Sequence, residues 1–410
     1  MRWRGPRVGR IRETISTILD LRERNYRLGV VNGWLVFLGD AFLNANIVLA
    51  GFAARLGAPG PLIGLLPALL QAGGMVPQAF LAPYVARLPR KVVLYRRVAA
   101  LRLSGIVLMA LSALLLGPWP SLLLSGFLLG LLLNALFTGV SSLPFWEAVA
   151  KVIPQERRAA FFSARNLVGG LLAFLAGFLV RFLLSLPLPF PLPYALLFAL
   201  AALAFGLGWY LFGLVDEPEE AGRTERLDLR TPFRDPRFRR FLRVRLLLAL
   251  GGMAEPFYAA YAVRVLHQER ELGLYLTLYA LSQTLSNLLW ARLAERSSRP
   301  VVLAGAGLGA SALLLAPLLP PGGFGLVFLL QGAYLAALGL GTTTYLLNLA
   351  PARERSAYIG LANTLVGLFS FSPVLGGALA DRLGFGGLFL LAALFYALGL
   401  YAARKLPEEG

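Results

Sequence analysis

Long apolar runs alternate with short charged connections along almost the entire chain. Cut at charged residues and Pro/Gly clusters, the runs predict twelve helical segments, at roughly 28–52, 62–85, 98–117, 121–146, 163–186, 193–214, 243–264, 272–291, 300–319, 324–349, 357–380 and 385–404. Each approaches the ~20 residues that a bilayer crossing needs. Segment 7 is the exception in pattern, with Glu255 inside it and arginines at both ends, and its assignment rests on an internal repeat. The pattern predicts an all-α integral membrane protein of twelve transmembrane helices. A basic lead-in (1–27) precedes a six-helix half (28–215), a central loop (216–242), a second half (243–404) and a short tail (405–410).

Composition agrees. Of 410 residues, 58% are hydrophobic and 15% charged, and mean hydropathy is +0.69, far from a soluble domain's ~45–50% apolar and ~25% charged residues. Soluble enzymes, disordered tails and collagen-like chains are excluded. The absence of cysteine and the single histidine remove disulfides, thiol catalysis and a zinc site, so no cofactor or metal is expected.

The net charge of +18 is topology. Of the 39 basic residues, 34 fall in the lead-in, the 2–3, 4–5, central, 8–9 and 10–11 connections and the tail. Arg102 belongs to the 2–3 connection in this count, Arg165 to the 4–5 connection, and Arg243 and Arg245 to the central loop. Arg55, Arg181, Arg264, Arg270 and Arg382 remain for the other side. The positive-inside rule makes the rich side, and with it both termini, cytoplasmic, in the cell's inner membrane, and a nucleic-acid partner is unnecessary. None of Lys91, Lys151 and Lys405 follows a glycine as a P-loop requires, so transport would draw on a gradient. No cleavable signal peptide is evident, and Ile11, Ile15, Ile18 and Leu19 suggest an amphipathic lead-in on the cytoplasmic leaflet.

The two halves can be laid on each other. Asp40-Ala41-Phe42 matches Glu255-Pro256-Phe257; Arg87 and Arg90 match Arg296 and Arg299; Pro154, Arg158, Phe161 and Asn166 match Pro351, Arg355, Tyr358 and Asn363. A parallel duplication of six helices follows.

These motifs resemble the major facilitator superfamily over essentially the whole chain. Arg87, Arg90 and Lys91 match the basic positions of that family's 2–3 signature, while its glycine and aspartate are replaced by Pro83 and Ala86. The 8–9 copy restores the acid as Glu295, ahead of Arg296 and Arg299. Residues 152–158 and 372–384 also look like that family. The resemblance implies a secondary transporter rather than an enzyme, in which Arg87, Arg90, Lys91, Glu147, Arg158, Glu295, Arg296, Arg299 and Arg355 form a cytoplasmic gate. Glu147 is expected to pair with Arg157 or Arg158. The proton-coupling pattern of helix 4 and the antiporter signature of helix 5 are missing.

Polar side chains at membrane depth need a partner or a watery cavity, and they concentrate in segments 1, 4, 7 and 10. The candidate cavity comprises Asp40, Asn44, Asn46, Asn134, Glu255, Tyr258, Tyr261, Gln331 and Tyr334. Asp40, ~18 Å along its helix, and its repeat mate Glu255 are the sharpest candidates. A carboxylate there is costly unless paired or protonated, which permits a proton-carrying role; the alternative is a neutral acid that glues helices together. Pro256 should loosen the helix near Gly252. The expected partners are a small-molecule substrate, protons and the lipid bilayer, for a monomer moving a neutral or cationic amphiphile, with export ahead of uptake of a sugar or other metabolite. A lipid-linked transferase and a non-transporting receptor of the same fold are the rivals.

Overall fold

The computed structural model describes residues 7–219, 231–351 and 355–407, and every regular element among them is helical. The first half contains α1 (Arg7–Phe42), a π-helical turn (Ala45–Leu49), α2 (Ala50–Arg55), α3 (Gly60–Arg87), α4 (Lys91–Leu115), α5 (Pro120–Val152), α6 (Gln155–Ser185) and α7 (Leu192–Gly213). The second contains α8 (Thr231–Arg234), α9 (Pro236–Gly251), a 3-10 turn (Gly252–Ala254), α10 (Glu255–Arg264), α11 (Leu272–Ala294), α12 (Ser298–Leu315), α13 (Gly325–Leu349), α14 (Arg355–Phe369) and α15 (Ser372–Ala403). The lead-in and the first predicted span are one continuous helix from Arg7. Prolines open α3, α5, α7 and α9 within their first turn, where a missing N–H costs nothing. Asp235 caps α9 by accepting from the Arg237 amide at 2.8 Å.

Among the described residues, nine helical stretches are long and apolar enough to cross a membrane, with Gly60–Met75 a shorter apolar one. The longest, Tyr358–Ala403, has 46 residues, about 69 Å if straight, more than twice a ~30 Å hydrocarbon core. Gly384 resolves this by taking a left-handed φ of 73° inside α15. The chain folds back there: Gly376 lies against Met253 and Tyr396 against Gly251, neighbouring positions on one wall. That break falls between predicted segments 11 and 12. The predicted eighth segment is present as α11, whose Gln283, Thr284, Ser286 and Asn287 keep it from reading as apolar.

Lipid-facing surface is evident from spacing. On α6, Leu171, Leu175, Phe178 and Phe182 are about half exposed and recur every three or four residues, one stripe of a helix with solvent replaced by acyl chains. Within the first half α1 packs on α6 and α7, and α4 and α3 pack on α5; within the second, α11 and α12 pack on α13, and α9 and α12 on α15.

Contact between the halves runs through α3 with α15, α6 with α11, and α2 with α10. A Cβ built on Gly64 would sit 1.9 Å from the Pro373 carbonyl oxygen, one on Gly377 2.1 Å from Gly60 backbone, and one on Gly273 2.1 Å from the Arg181 nitrogen. Backbones meet there because no side chain intervenes, the packing that small residues allow within membranes. All three contacts lie at the arginine-poor end. Between described residues, the hydrogen bonds and ion pairs that join the halves lie at that end or at mid-depth. The described contacts therefore close the molecule at the arginine-poor end.

Gly64→Leu should wedge the closed end apart. With a single cysteine at Ser370, in a chain that has none of its own, thiol labelling should come from the arginine-rich side in the parent and gain access from the arginine-poor side in the Gly64→Leu variant. Unchanged sidedness would mean that this contact does not hold the end shut.

Candidate functional site

A cavity of about 270 Å³ opens between α9, α10, α13, α14 and α15, completed from the first half by Asn46, Pro67 and Gln71. That is just below the range of drug-sized pockets. Glu255 lines it from the break in its own helix. Pro256 cannot donate to the helical ladder, and the backbone tightens into the 3-10 turn Gly252–Ala254, leaving Glu255 as the first residue of α10. The turn expected at Gly252 is thus present, and it aims a carboxylate inward. Asn46 donates to Glu255 Oε2 at 3.5 Å and the Tyr396 hydroxyl to Oε1 at 3.4 Å. Tyr258 and Tyr334 are fully buried, with hydroxyls close to each other and to Glu255 but short of good hydrogen-bond geometry; one turn from Tyr334, Gln331 is 1% exposed with neither amide atom bonded. Buried polar groups are ordinarily bonded, so this region retains hydrogen-bonding capacity around one acid.

Other predicted cavity residues lie elsewhere. Asn44 caps the π-helical turn, accepting from the Ile47 amide at 3.0 Å. Tyr261 packs in an aromatic cluster with Phe324, Phe385 and Phe389. Asn134 accepts from Arg102 Nε at 3.4 Å between α4 and α5. Asp40 does not share Glu255's cavity; its neighbours Gly39 and Ala41 are buried while Asp40 itself is exposed, with Arg102 its electrostatic partner.

Three arginines assigned to connections are in fact intramembrane. Arg102 is the twelfth residue of α4, lies 4.1 Å over the Trp209 ring and donates to Ser141 at 3.1 Å. Arg165 is the eleventh residue of α6, 7% exposed, and donates to Asn32 Oδ1 at 3.0 Å and to the Gly29 carbonyl. Arg245 is the tenth residue of α9, lines the Glu255 cavity and donates to Asn363 Oδ1 at 3.4 Å. Cutting at charges hid them, because the helices start about two turns before the apolar runs do. Gln71, Thr342, Ser370, Ser372 and Tyr396 also line the cavity without having been singled out.

Residues 251–410 match the Major Facilitator Superfamily model. The fold as a whole is similar to the nucleoside transporter NupG, with TM-score 0.71 and 13% identity over 94% of this chain and 98% of that one. It is likewise similar to a bacterial homologue of the iron transporter ferroportin in an inward-facing state (0.71, 16%, 93% and 98%) and to a D-xylose–proton symporter (0.67, 16%, 96% and 98%). The family match thus falls on the second half of the chain, residues 251–410. At these identities the likeness to solved structures is one of fold, and no curated protein matches the sequence.

Among the described residues, the contacts seen for the predicted cytoplasmic gate residues lie within one half. Arg87, Glu295 and Arg296 are exposed, Arg158 donates to the Ile153 carbonyl of its own half at 3.1 Å, and Arg299 donates to the Arg404 carbonyl. The side chain of Arg355 lies outside the described residues. Glu147 pairs not with Arg157 or Arg158 but with buried Lys91, at 3.6 Å; Arg157 is engaged by Glu23 at 3.1 Å. The acid missing at Ala86 has a local substitute from the start of the central loop. Glu217, 3% exposed, accepts from the Val92 amide at the start of α4 at 2.7 Å and pairs with Lys151 at 3.0 Å, while Arg90 pairs with Glu219 at 3.2 Å.

The opposite end carries the latch. Asp381 of the second half accepts from the Gly60 amide opening α3, at 2.9 Å to its closer oxygen. Arg264 donates to the Ala54 and Ala58 carbonyls where α2 ends. An anion thus sits at a helix start and a cation at a helix end, each complementing the helix dipole. Arg55 pairs with Glu269 at 3.0 Å and Arg181 with Glu271 at 2.9 Å.

Asp381→Asn and Arg264→Gln should each loosen this end, so that a cysteine at position 46 becomes several-fold more reactive toward reagent on the arginine-poor side. Equal reactivity would show the contacts to be incidental. Burial pushes the Glu269 carboxyl above the usual carboxylate range, against the opposing pull of Arg55, Tyr194 and Arg270. A proton is therefore held more tightly in this closed arrangement than in one that exposes Glu269 to water. Closure should be favoured as pH falls and lost as pH rises through the raised value. Glu269→Gln should flatten the pH dependence of position-46 labelling; an unaltered profile would assign that dependence to another group.

Proposed function

We propose that this protein is a proton-coupled exporter of small amphiphilic, amine-bearing solutes, working as a monomer in the cytoplasmic membrane by alternating access. Residues 28–215 rock against 243–404, and the state described has its cavity open to the cytoplasmic, arginine-rich side. The observation that carries this reading is Glu255: a single acid on the cavity wall, at a helix break, with the neutral Asn46, Tyr334 and Tyr396 around it and no cation among the described residues paired with it. An intramembrane carboxylate without a cationic partner is expensive. Either a proton or a solute ammonium can neutralise it, and the two then compete for one site. Competition of that kind is the logic of exchange: a proton arriving from outside displaces the solute, and the solute displaces the proton inward. The apolar share of the wall, from Leu248, Leu335, Leu338, Val366 and Phe369, suits an amphiphile better than a polyhydroxylated sugar. Asp40 and Arg102, set apart in the first half, make a second charged pair whose approach can follow the rocking.

Sealed liposomes holding the purified protein and an internal pH dye test this reading. A pool of amphiphilic amines should produce proton movement opposite to solute movement, reduced at least about tenfold in Glu255→Gln and less in Asp40→Asn. Proton and solute moving in the same direction would make the protein an uptake symporter. A response that Glu255→Gln leaves intact would remove Glu255 from coupling.

A further inference from the structure

Glu255 is not the only charge on the cavity wall. Arg245 lies ten residues earlier in the chain and lines the same cavity, about 15 Å away along the helix axis by rise alone. The two do not pair with each other. Among the described residues neither has an ionic partner: Arg245 donates to Asn363 at 3.4 Å, and Glu255 is surrounded by the neutral Asn46, Tyr334 and Tyr396. The two intramembrane guanidiniums of the first half, Arg102 and Arg165, are enclosed. Arg102 stacks on Trp209, and Arg165 lies over Phe145 and Phe161 while donating to Asn32. Arg245 instead faces open space with one long hydrogen bond, leaving most of its donor fork free. Leu248, Ala249 and Gly252 separate the two charges along the chain, and Leu338, Val366 and Phe369 add apolar surface to a wall that also carries Thr342, Ser370 and Ser372.

Two uncompensated charges of opposite sign, separated along one wall by apolar surface, describe the negative image of a dipolar molecule. We propose that the solute is a zwitterion, held with its ammonium on Glu255 and its carboxylate on Arg245, with an apolar spacer between them. This rests on the reading that Glu255 takes the solute's amine. The planar guanidinium fork matches a carboxylate with two parallel donors, which an ammonium cannot do. Side chains extending toward each other shorten the ~15 Å separation to a gap that about four to eight carbons span. An α-amino acid, with its charges one carbon apart, is too short to reach both. A simple cation leaves Arg245 without a counterion, and a simple anion leaves Glu255 so.

Titration calorimetry on the purified full chain in detergent tests this, with ω-aminobutyrate, ω-aminohexanoate, ω-aminooctanoate, hexylamine and hexanoate as probes. Wild type should bind ω-aminohexanoate or ω-aminooctanoate at least about tenfold more tightly than hexylamine or hexanoate, and more tightly than ω-aminobutyrate. Arg245→Gln should lower ω-amino acid affinity to that of hexylamine and leave hexylamine unchanged, which also shows the variant to be folded. Arg245→Lys should restore part of the loss, because the charge returns without the fork. Equal binding of hexylamine and the ω-amino acids by wild type would overturn the proposal, as would a variant that weakens both alike. Hexylamine binding lost in Glu255→Gln but with no contribution from Arg245 would sink the zwitterion and leave the amine site standing. Hexylamine binding indifferent to Glu255→Gln, or no binding of any probe, would overturn both.

Discussion

Bare backbone pressed against bare backbone at the arginine-poor end is the constraint on which the remaining geometry depends. Gly60 against Gly377, Gly64 against Pro373 and Gly177 against Gly273 bring the halves closer than any side chain would allow. In lipid no hydrophobic force drives helices together, so close approach and polar bonding have to hold them. The first brings helix ends within reach of side chains from the opposite half, and Asp381 and Arg264 supply the second by completing the start of α3 and the end of α2. The cavity in which Glu255 and Arg245 stand lies among helices of the second half, completed by Asn46, Pro67 and Gln71 of the first.

The repeat explains the frame and its limits. Both halves break the first helix of their bundle near mid-depth, but by different means: a π-helical turn after Asn44 in the first, a 3-10 turn before Glu255 in the second. Because the breaks are out of step, Asn46 reaches across to Glu255. The acids at matching positions consequently differ in role. Glu255 faces the cavity among neutral partners, while Asp40 answers to Arg102. A duplicated sequence has become two unlike charge environments.

Much of this was legible in the sequence. Apolar run lengths mark the membrane helices, the Asp40 and Glu255 blocks mark the duplication, and Pro256 marks the helix break beside its acid. Asn46, Glu255 and the buried Tyr258 and Tyr334 all follow from seeking polar groups at membrane depth. Arg102, Arg165 and Arg245 did not, because run-cutting treats any charge near a connection as part of it. Each sits about 15 Å inside its helix, where only packing distinguishes it from a loop residue. Nothing in their own stretches of sequence marks Tyr396, in an apolar helix, or Glu217, in the central loop. Their importance comes from contacts with Glu255, Val92 and Lys151 far away in sequence.

The central claim is that the arginine-poor end must open and close while the cavity carries the solute. Gly51 and Leu272 face each other across the halves there, with the Leu272 Cγ 3.5 Å from a Cβ built on Gly51. A cysteine sulfur at 272 would take that Cγ position, close to disulfide geometry. The most direct measurement is solute flux in liposomes for the Gly51→Cys, Leu272→Cys double variant, oxidised and then reduced. The account predicts that oxidation stops flux, leaves binding from the arginine-rich side intact, and is reversed by reductant. Flux persisting in fully cross-linked protein would contradict it.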